Sequence, residues 1–486
     1  MQKILKRLLF IAAMPAGWTI LLLVSAAAGW FAMLLIASFT AELLLFSALS
    51  ILAAGCVALA GSWLMGYAFR FGRGMRWANA VLITVVLVIA ARLVLFLPAH
   101  ELYGPLQVAQ IEPKPAQLSY WDLPTGSRIA YRRFRPEQDK PKATVIWLHG
   151  GPGAYAVSMR EIHPIPEQLA GMGYEVYLYD QIGGGLSARL SDPRDYTLDR
   201  HLRDLEAIQS HIGASSVTLI GSSWGATLAA HYIARNPDNV QAAVFNAPGE
   251  ITLTPEIADA EQNTSISSAD ERAKTDWTLS LGLRSRLLDA IRLRQPGLFE
   301  QLSSDAEWDE AMDYFLNRFV LARAVCPDTP RTWQVHGYGR YAHIYTQGDF
   351  QQQADDALQG WHGSDIPALV LRGECEFLSE QIVEQYKARF TALQVTEVPD
   401  AGHLIALEQP DALIEYLGTF LDQHAANHGR EILNLDPATL AVSLGRRNHI
   451  RRTTGHANWE FIFLIIYVTQ PSLKSAPQIT QIYTDY

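Results

Sequence analysis

The sequence is poor in cysteine, with three among 486 residues. Cys56 lies inside a long apolar run, so only Cys326 and Cys375 could pair with each other, and their separation in space does not follow from the sequence. Three cysteines exclude the disulfide framework that holds small secreted domains together. We expect two unpaired thiols at these positions and a fold that depends on a hydrophobic core, for which the chain is long enough.

Charge is nearly absent from the first hundred residues. Between Leu8 and Phe69 the only charged residue is Glu42, and a second apolar run extends from Trp77 to Leu97. A bilayer core requires about 20 apolar residues per helix, so the first stretch is long enough for two spans and the second for one. A signal peptide has a shorter apolar region, of roughly 7 to 15 residues. We therefore predict three transmembrane helices, and the lipid bilayer as a partner.

Basic residues flank these apolar runs unevenly. Three of them precede the first span and three lie between the second and third, whereas the turn near Thr40 has none. Because basic loops stay in the cytoplasm, the third span is predicted to exit on the far side. We therefore expect a multi-pass membrane protein, located in the inner membrane if the source is a bacterium. The part of the chain after the third span, called the body below, is expected on the non-cytoplasmic side. The six residues are Lys3, Lys6, Arg7, Arg70, Arg73 and Arg76.

An excess of positive charge is absent from the rest of the chain. Of the 39 basic and 49 acidic residues, seven and two lie in residues 1–104, which leaves 32 and 47 downstream. The N-terminal part therefore carries a formal charge of +5 and the remainder −15. Nucleic-acid binding requires a basic surface, so we expect no nucleic-acid partner.

Short strand-forming runs alternate with amphipathic helical patterns beyond Pro98. This alternation predicts an α/β fold with a mainly parallel sheet and helices on both faces. It stops between about Glu250 and Gly363, where helix-forming and charged residues predict a helical insertion. The predicted strand runs are Ala143–Leu148, Tyr174–Tyr179, Val217–Ile220, Val240–Phe245, Ala368–Leu371 and Leu393–Val398.

A G-x-S-x-G pattern lies between a predicted strand and a predicted helix, within L-I-G-S-S-W-G-A-T-L at Leu219–Leu228. A sharp strand-to-helix turn exposes the serine hydroxyl at the carboxyl edge of a sheet, and side chains at the flanking glycines would clash. Ser223 is therefore the candidate nucleophile.

A serine hydroxyl is a weak nucleophile until a base takes its proton and a third group orients that base. On this arrangement the chain order is serine, acid, histidine. His403 follows the last predicted strand, where a loop can carry it over the sheet edge, so it is the candidate base. The preceding strand run continues into R-G-E-C-E-F-L, which offers Glu374 and Glu376 as the acid.

Glycine replaces side chains directly after the first predicted strand, in V-I-W-L-H-G-G-P-G-A-Y at Val145–Tyr155. Acyl transfer passes through a tetrahedral oxyanion that backbone N–H groups stabilise. One donor is predicted to be the amide of Trp224, the residue after the serine. The glycine-rich loop lets backbone approach the substrate, and Gly151 is the predicted second donor of this oxyanion hole.

Five motifs in this order resemble the proline iminopeptidase family of α/β-hydrolases, over roughly residues 115–425. The resemblance implies an eight-stranded sheet, a helical cap over the active site, no metal or organic cofactor, and Glu376 as the acid, where the family usually has Asp. The cap lacks a clear W-x-x-W-E motif, whose Glu in family members helps to hold the substrate's free amine. The motifs are H-G-G-P-G (His149–Gly153), D-Q-x-G-x-G-x-S (Asp180–Ser187), G-S-S-W-G (Gly221–Gly225), R-G-E-C-E (Arg372–Glu376) and A-G-H (Ala401–His403).

The sequence therefore predicts a membrane-anchored serine hydrolase with a Ser223, His403 and Glu376 triad. The first hypothesis is an aminopeptidase that releases N-terminal residues from small peptides. A carboxylesterase or lipase-like enzyme on the same scaffold and a catalytically silent binding protein are the alternatives. An aminopeptidase needs carboxylates that face the serine, and the candidates, which could equally be solvent-facing, are Glu307, Asp309, Glu310 and Asp313.

Five segments follow from these patterns. They are a membrane segment (1–104), the first part of the hydrolase core (105–250), a helical cap (251–364), the second part of the core (365–425) and a tail with no assigned function (426–486).

Overall fold

The computed structural model describes residues 2–96, 118–255, 257, 284–321, 323–327, 329–330 and 333–424. The predicted tail, and parts of the predicted cap and of the segment before the first strand, lie outside the described residues.

Three long helices open the chain: α1 (Gln2–Ala37), α2 (Leu43–Ala68) and α3 (Arg73–Phe96). Each contains a stretch long and apolar enough to cross a bilayer, of 23, 25 and 20 residues respectively. Large apolar side chains such as Leu44 and Leu64 point outward from them, as a lipid-facing surface requires. The prediction of three such helices is confirmed.

One eight-stranded sheet forms the body, with the order β1-β2-β4-β3-β5-β6-β7-β8. The first two strands pair antiparallel, β2 pairs antiparallel with β4, and the remaining pairs are parallel. All six predicted runs are strands, and the mainly parallel α/β-hydrolase sheet is confirmed. The strands are β1 (Ser119–Asp122), β2 (Arg128–Phe134), β3 (Thr144–Leu148), β4 (Glu175–Tyr179), β5 (Val217–Ser222), β6 (Val240–Asn246), β7 (Ala368–Gly373) and β8 (Leu393–Val398).

Helices cover both faces of this sheet. On one face α5 and α6 bury residues such as Leu205 and Ala229, and on the other α4 and α12 bury residues such as Leu169 and Leu417. Both clusters are continuous with apolar strand side chains, so the sheet lies in the middle of the core. The helices of the body are α4 (Pro164–Gly171), α5 (Leu198–Ile212), α6 (Trp224–Arg235), α7 (Pro296–Leu302), α8 (Asp305–Phe315), α9 (Arg340–Ala357), α10 (Gln381–Arg389), α11 (Ile405–Glu408) and α12 (Pro410–His424).

The chain between β6 and β7, called the cap below, is helical wherever the structure describes regular elements. It contains a helix at 284–294, then α7, α8, a π-helical turn at Leu316–Val320, and α9. The cap packs onto the core through α9, whose Phe350 lies edge-on to the Trp224 ring at a centroid distance of 5.5 Å. The predicted helical insertion is confirmed.

Cys326 of the cap and Cys375 after β7 form a disulfide, with their Cα atoms 5.3 Å apart. The expectation of two unpaired thiols was therefore wrong. The fold returns the cap to the carboxyl edge of the sheet, which brings together two residues that are 49 positions apart in the sequence.

The turn between α1 and α2 packs against the cap. The Gln301 side-chain amide of α7 donates to the Ala41 carbonyl at 2.8 Å. Ala37 and Phe46, on either side of this turn, are buried in the main core cluster. The three N-terminal helices thus contact the body through the cap.

Candidate active site

Ser223 lies at the turn between β5 and α6, with φ 52° and ψ −122°. Few non-glycine residues adopt a positive φ, and such a conformation is typical of functional turns. The flanking glycines make the turn possible: a Cβ atom at Gly221 would lie 2.3 Å from the Gly225 carbonyl oxygen, and one at Gly225 would lie 2.1 Å from that of Leu148. Any side chain there would overlap backbone, so the motif dictates the turn.

His403 and Glu376 meet at the same edge of the sheet. The His403 Nδ1 atom lies 3.0 and 2.9 Å from the two Glu376 carboxylate oxygens. Both side chains are withdrawn from solvent, with exposures of 11% for His403 and 1% for Glu376. Because Nδ1 faces the carboxylate, Nε2 is the nitrogen left to accept a proton.

The electrostatics of this pair favour a charged carboxylate. Burial alone would raise the pKa of Glu376, but His403 and the Leu378 amide outweigh burial and hold that pKa below its ordinary value of 4.5. Glu374 is exposed, and its carboxylate accepts from the Asp400 amide at 3.1 Å. Of the two acids that the sequence offered, the structure brings Glu376 to His403.

The glycine-rich loop after β3 lies against the serine. A Cβ atom at Gly150 would lie 3.1 Å from the Ser223 Cβ and 3.7 Å from its Oγ. Gly151 has φ +120°, and a Cβ atom there would lie 2.7 Å from the amide nitrogens of Gly153 and Ala154. Only residues without a side chain fit this approach of backbone to nucleophile. Gly151 is adjacent to this contact, and Trp224 begins α6 directly after the serine.

A buried hydrogen-bond network joins three of the motifs. The Trp224 indole donates to the Gln181 side-chain oxygen at 3.0 Å, and the Gln181 backbone N–H donates to His149 Nε2 at 2.8 Å. Burial lowers the pKa of His149 to about 4, so its ring is neutral at pH 7. Its Nδ1–H then donates to the Gly150 carbonyl at 2.7 Å. The network ties the glycine-rich loop to the serine turn.

Asp180 holds the residues that follow the glycine-rich loop through hydrogen bonds. Its buried carboxylate accepts from the amides of Ala156, Val157 and Leu186 at 2.7 to 2.8 Å. Burial raises the pKa of Asp180 to about 6, against the effect of these amides. Sequence reasoning gave Asp180 and Gln181 no role, although both begin the D-Q-x-G-x-G-x-S motif.

Three of the four candidate cap acids have partners within the protein. Asp309 pairs with Arg189 at 2.8 Å, and Glu307 pairs with Arg284. Asp313 accepts from the amides of Gly337 and Tyr338 at 2.6 and 2.9 Å. These carboxylates build the cap and its contact with the core, and Asp309 and Asp313 are buried and do not lie on the solvent face that the sequence left as the alternative.

Glu250 is an acidic residue that sequence reasoning missed, and it follows a residue whose backbone contacts Ser223. The preceding Gly249 donates its amide to the Ser223 carbonyl at 3.1 Å, and a Cβ atom at Gly249 would lie 3.3 Å from the Ser223 carbonyl carbon. Burial raises the pKa of Glu250, against hydrogen bonds from its own backbone amide and the side chain of Gln347 on α9. Its place a few residues after the predicted strand Val240–Phe245 was the signal that could have identified it.

No group of three or more His, Cys, Asp or Glu side chains that could hold a metal ion occurs within the described part of the chain.

Residues 143–410 match the family model of the α/β hydrolase fold, and the chain belongs to this family. A proline iminopeptidase of Heyndrickxia coagulans is 34% identical over 124 residues, which are 26% of this chain and 41% of that protein. That of Clostridioides difficile is 23% identical over 308 residues, 62% of this chain and 97% of the relative. These relatives confirm the resemblance to proline iminopeptidases and support a serine hydrolase of the peptidase or esterase type.

Solved structures also resemble the body. The crystal structure of a proline iminopeptidase from Mycobacterium smegmatis has 20% identity and a TM-score of 0.42, and covers 63% of this chain and 99% of its own. An esterase from Exiguobacterium antarcticum has 14% identity and a TM-score of 0.39, with 63% and 99% covered.

Proposed function

We propose that this chain is a membrane-anchored serine hydrolase with a Ser223, His403 and Glu376 triad, and that it releases N-terminal residues from small peptides. The observation that supports it most directly is the Nδ1 hydrogen bond of His403 to a buried carboxylate, on the sheet edge that carries a strained serine turn. A third group that orients the base is the part of a triad that a chance histidine lacks.

The proposed reaction has two halves, in which the serine is first acylated and then released. His403 Nε2 takes the Ser223 proton as the oxygen bonds to the substrate carbonyl carbon, and the amides of Trp224 and Gly151 stabilise the oxyanion. The protonated imidazole, stabilised by Glu376, then gives its proton to the leaving amine. In the second half, His403 takes a proton from water as the water oxygen bonds to the acyl carbon. The bond to the Ser223 oxygen then breaks, and His403 returns the proton to that oxygen.

Glu250 is the carboxylate that we propose for the substrate's amine. An ammonium group that enters a partly desolvated pocket is costly unless a charge of opposite sign meets it. Three cap acids are already engaged, whereas the hydrogen bonds that lower the pKa of Glu250 come from neutral groups, its own backbone amide and the Gln347 side chain. A substrate ammonium would supply the counter-charge that these neutral groups lack.

Glu250→Gln is expected to raise the KM for a prolyl amide with a free amine by about 30-fold, because a buried charge pair loses roughly 2 kcal/mol when one partner is removed. N-acetylprolyl amides and short acyl esters should be unaffected. The matched control is Glu397→Gln, at an exposed glutamate. The measurement is a panel of chromogenic amides and esters on the solubilised full chain. Good hydrolysis of esters with none of any free-amine substrate would establish the esterase alternative.

The same KM should depend on pH. The pKa of Glu250 lies above 4.5, and only its ionised form attracts an ammonium group. As pH rises through that pKa, the ionised fraction grows, so the KM for the free-amine substrate should fall while the KM of the N-acetylated analogue stays level. A free-amine KM that is flat with pH would contradict the assignment, and Glu250→Gln should abolish the dependence.

We further propose that the body lies on the non-cytoplasmic side. Three helices that cross a membrane place the N-terminus and the body on opposite sides, and the basic residues favour a cytoplasmic N-terminus. The contact of Gln301 with Ala41 supports three crossings, because the α1–α2 turn and the body then share one side of the membrane; the basic residues decide which side that is. The disulfide supports it too, since disulfides persist in oxidising compartments.

Alkaline phosphatase fused after Glu101 is expected to be active, because the far side of the membrane supports its disulfides. A reporter that works only in the cytoplasm should be silent at the same point. A fusion after Arg73, in the basic loop, is the matched control with the reverse expectation. An inactive phosphatase together with an active cytoplasmic reporter after Glu101 would reverse the orientation.

A further inference from the structure

Part of the cap before α9, which includes Ala324, Val325, Cys326 and Thr329, lies against the loop that carries His403. The Leu404 amide donates to the Ala324 carbonyl at 3.1 Å. On the other side of the histidine, a Cβ atom at Gly402 would lie 2.9 Å from both the Ala324 oxygen and the Val325 Cα. Both neighbours of His403 are therefore in backbone contact with the cap.

One carboxylate connects these two segments. Glu408, at the end of α11, accepts from the Cys326 amide and the Thr329 hydroxyl, both at 2.8 Å, through Oε1. Its Oε2 accepts from the Gly402 amide at 2.7 Å. The donors belong to two irregular segments, one in the cap and the other in the loop that carries His403. The carboxylate therefore holds these two segments together at a point where no helix or strand does so.

The disulfide adds a covalent link between the cap and the loop that carries Glu376. Cys326, whose amide Glu408 holds, is bonded to Cys375, the residue directly before Glu376. The Cys375 amide in turn donates to the Ala401 carbonyl, at 2.9 Å, in the histidine loop. The covalent link and the Glu408 hydrogen bonds thus join the loops of both members of the His403 and Glu376 pair to the same cap segment.

We propose that Glu408 is a positioning residue for the triad: together with the Cys326–Cys375 disulfide it clamps the histidine loop and the acid loop to the cap. This inference rests on the proposed triad. The hydrogen bonds of the Glu408 carboxylate go to the cap and to Gly402, so its effect on the imidazole passes through Gly402 and the backbone of His403. A misplacement of about 1 Å can reduce a rate by about 100-fold, which is the sensitivity that such a clamp protects.

Glu408→Gln keeps the size of the side chain, but one of its two carboxylate oxygens becomes an NH2 group. That group would face a donor, either Gly402 or the cap, and could not accept its hydrogen bond. We expect kcat to fall by about 100-fold while KM changes less than twofold, because substrate contacts are untouched. The pH at the midpoint of the acid limb of the kcat profile should shift, since that limb reports the base in its complex with the acid. The control is Glu384→Gln, at an exposed ion pair with Lys387, which should change none of these values.

The paired variant Cys326→Ser with Cys375→Ser completes the test. If both devices act as one clamp, the combined loss of kcat in the triple variant should be clearly smaller than the product of the two separate losses. Rates are expressed per site labelled by a fluorophosphonate, and thermal unfolding is followed alongside. Unchanged kcat and pH profile in Glu408→Gln would overturn the proposal. So would a loss that disappears when activity is expressed per labelled site, since that reports unfolding alone.

Failure of the triad itself gives a different result. Wild-type protein would then not be labelled at Ser223, and Ser223→Ala would retain activity, whereas failure of the clamp leaves the wild-type labelling intact.

Discussion

Replacement of Ser223 or His403 by alanine is expected to reduce turnover by about a million-fold, with the full chain still folded and in the membrane. Members of a triad act as a unit, so loss of either nucleophile or base removes nearly all of the chemical step. The residual rate would come from the oxyanion hole and from binding. Turnover of the preferred chromogenic substrate by solubilised protein measures the effect.

The turn that carries Ser223 also offers a control. Ser222 is the neighbouring serine of the same turn, and its hydroxyl accepts from the Asn246 side chain at 3.2 Å. Ser222→Ala should keep most of the activity and the labelling by a fluorophosphonate, whereas Ser223→Ala should lose both. Wild-type protein that resists the probe and hydrolyses none of the substrates would instead indicate the catalytically silent binding protein.

Most of the strands that the sequence predicted share one property, and β8, which reads L-Q-V-T-E-V at the sheet edge, is the exception. Buried parallel strands such as β3 and β4 are continuous apolar runs, which stand out from their surroundings. The two strands that were missed, β1 and β2, lie at the antiparallel edge of the sheet. β2 reads R-I-A-Y-R-R-F, in which charged residues interrupt the pattern, and β1 has only four residues. The resemblance implied eight strands but did not locate these two.

The site was predictable where the backbone dictates the chemistry. The turn at Ser223 leaves no room for side chains at Gly221 and Gly225, so the motif itself records the geometry. The choice between Glu374 and Glu376 depends on the direction of an irregular loop, which periodicity does not encode. The disulfide and the Glu408 contacts depend on where the cap returns to the sheet, and 49 residues separate the two cysteines.

Glu376→Gln is expected to lower kcat by about 10,000-fold, and Glu374→Gln by less than about twofold. A glutamine at position 376 would present an amide N–H to His403 Nδ1 and so favour the tautomer with the proton on Nε2, which cannot take the serine proton. The variant is close in shape, so KM and thermal unfolding should change little beside kcat. Glu374 is a suitable companion because it is two residues away, is exposed, and accepts from the Asp400 amide. Full activity in Glu376→Gln, or loss of activity in Glu374→Gln alone, would show that the acid of the triad had been misassigned.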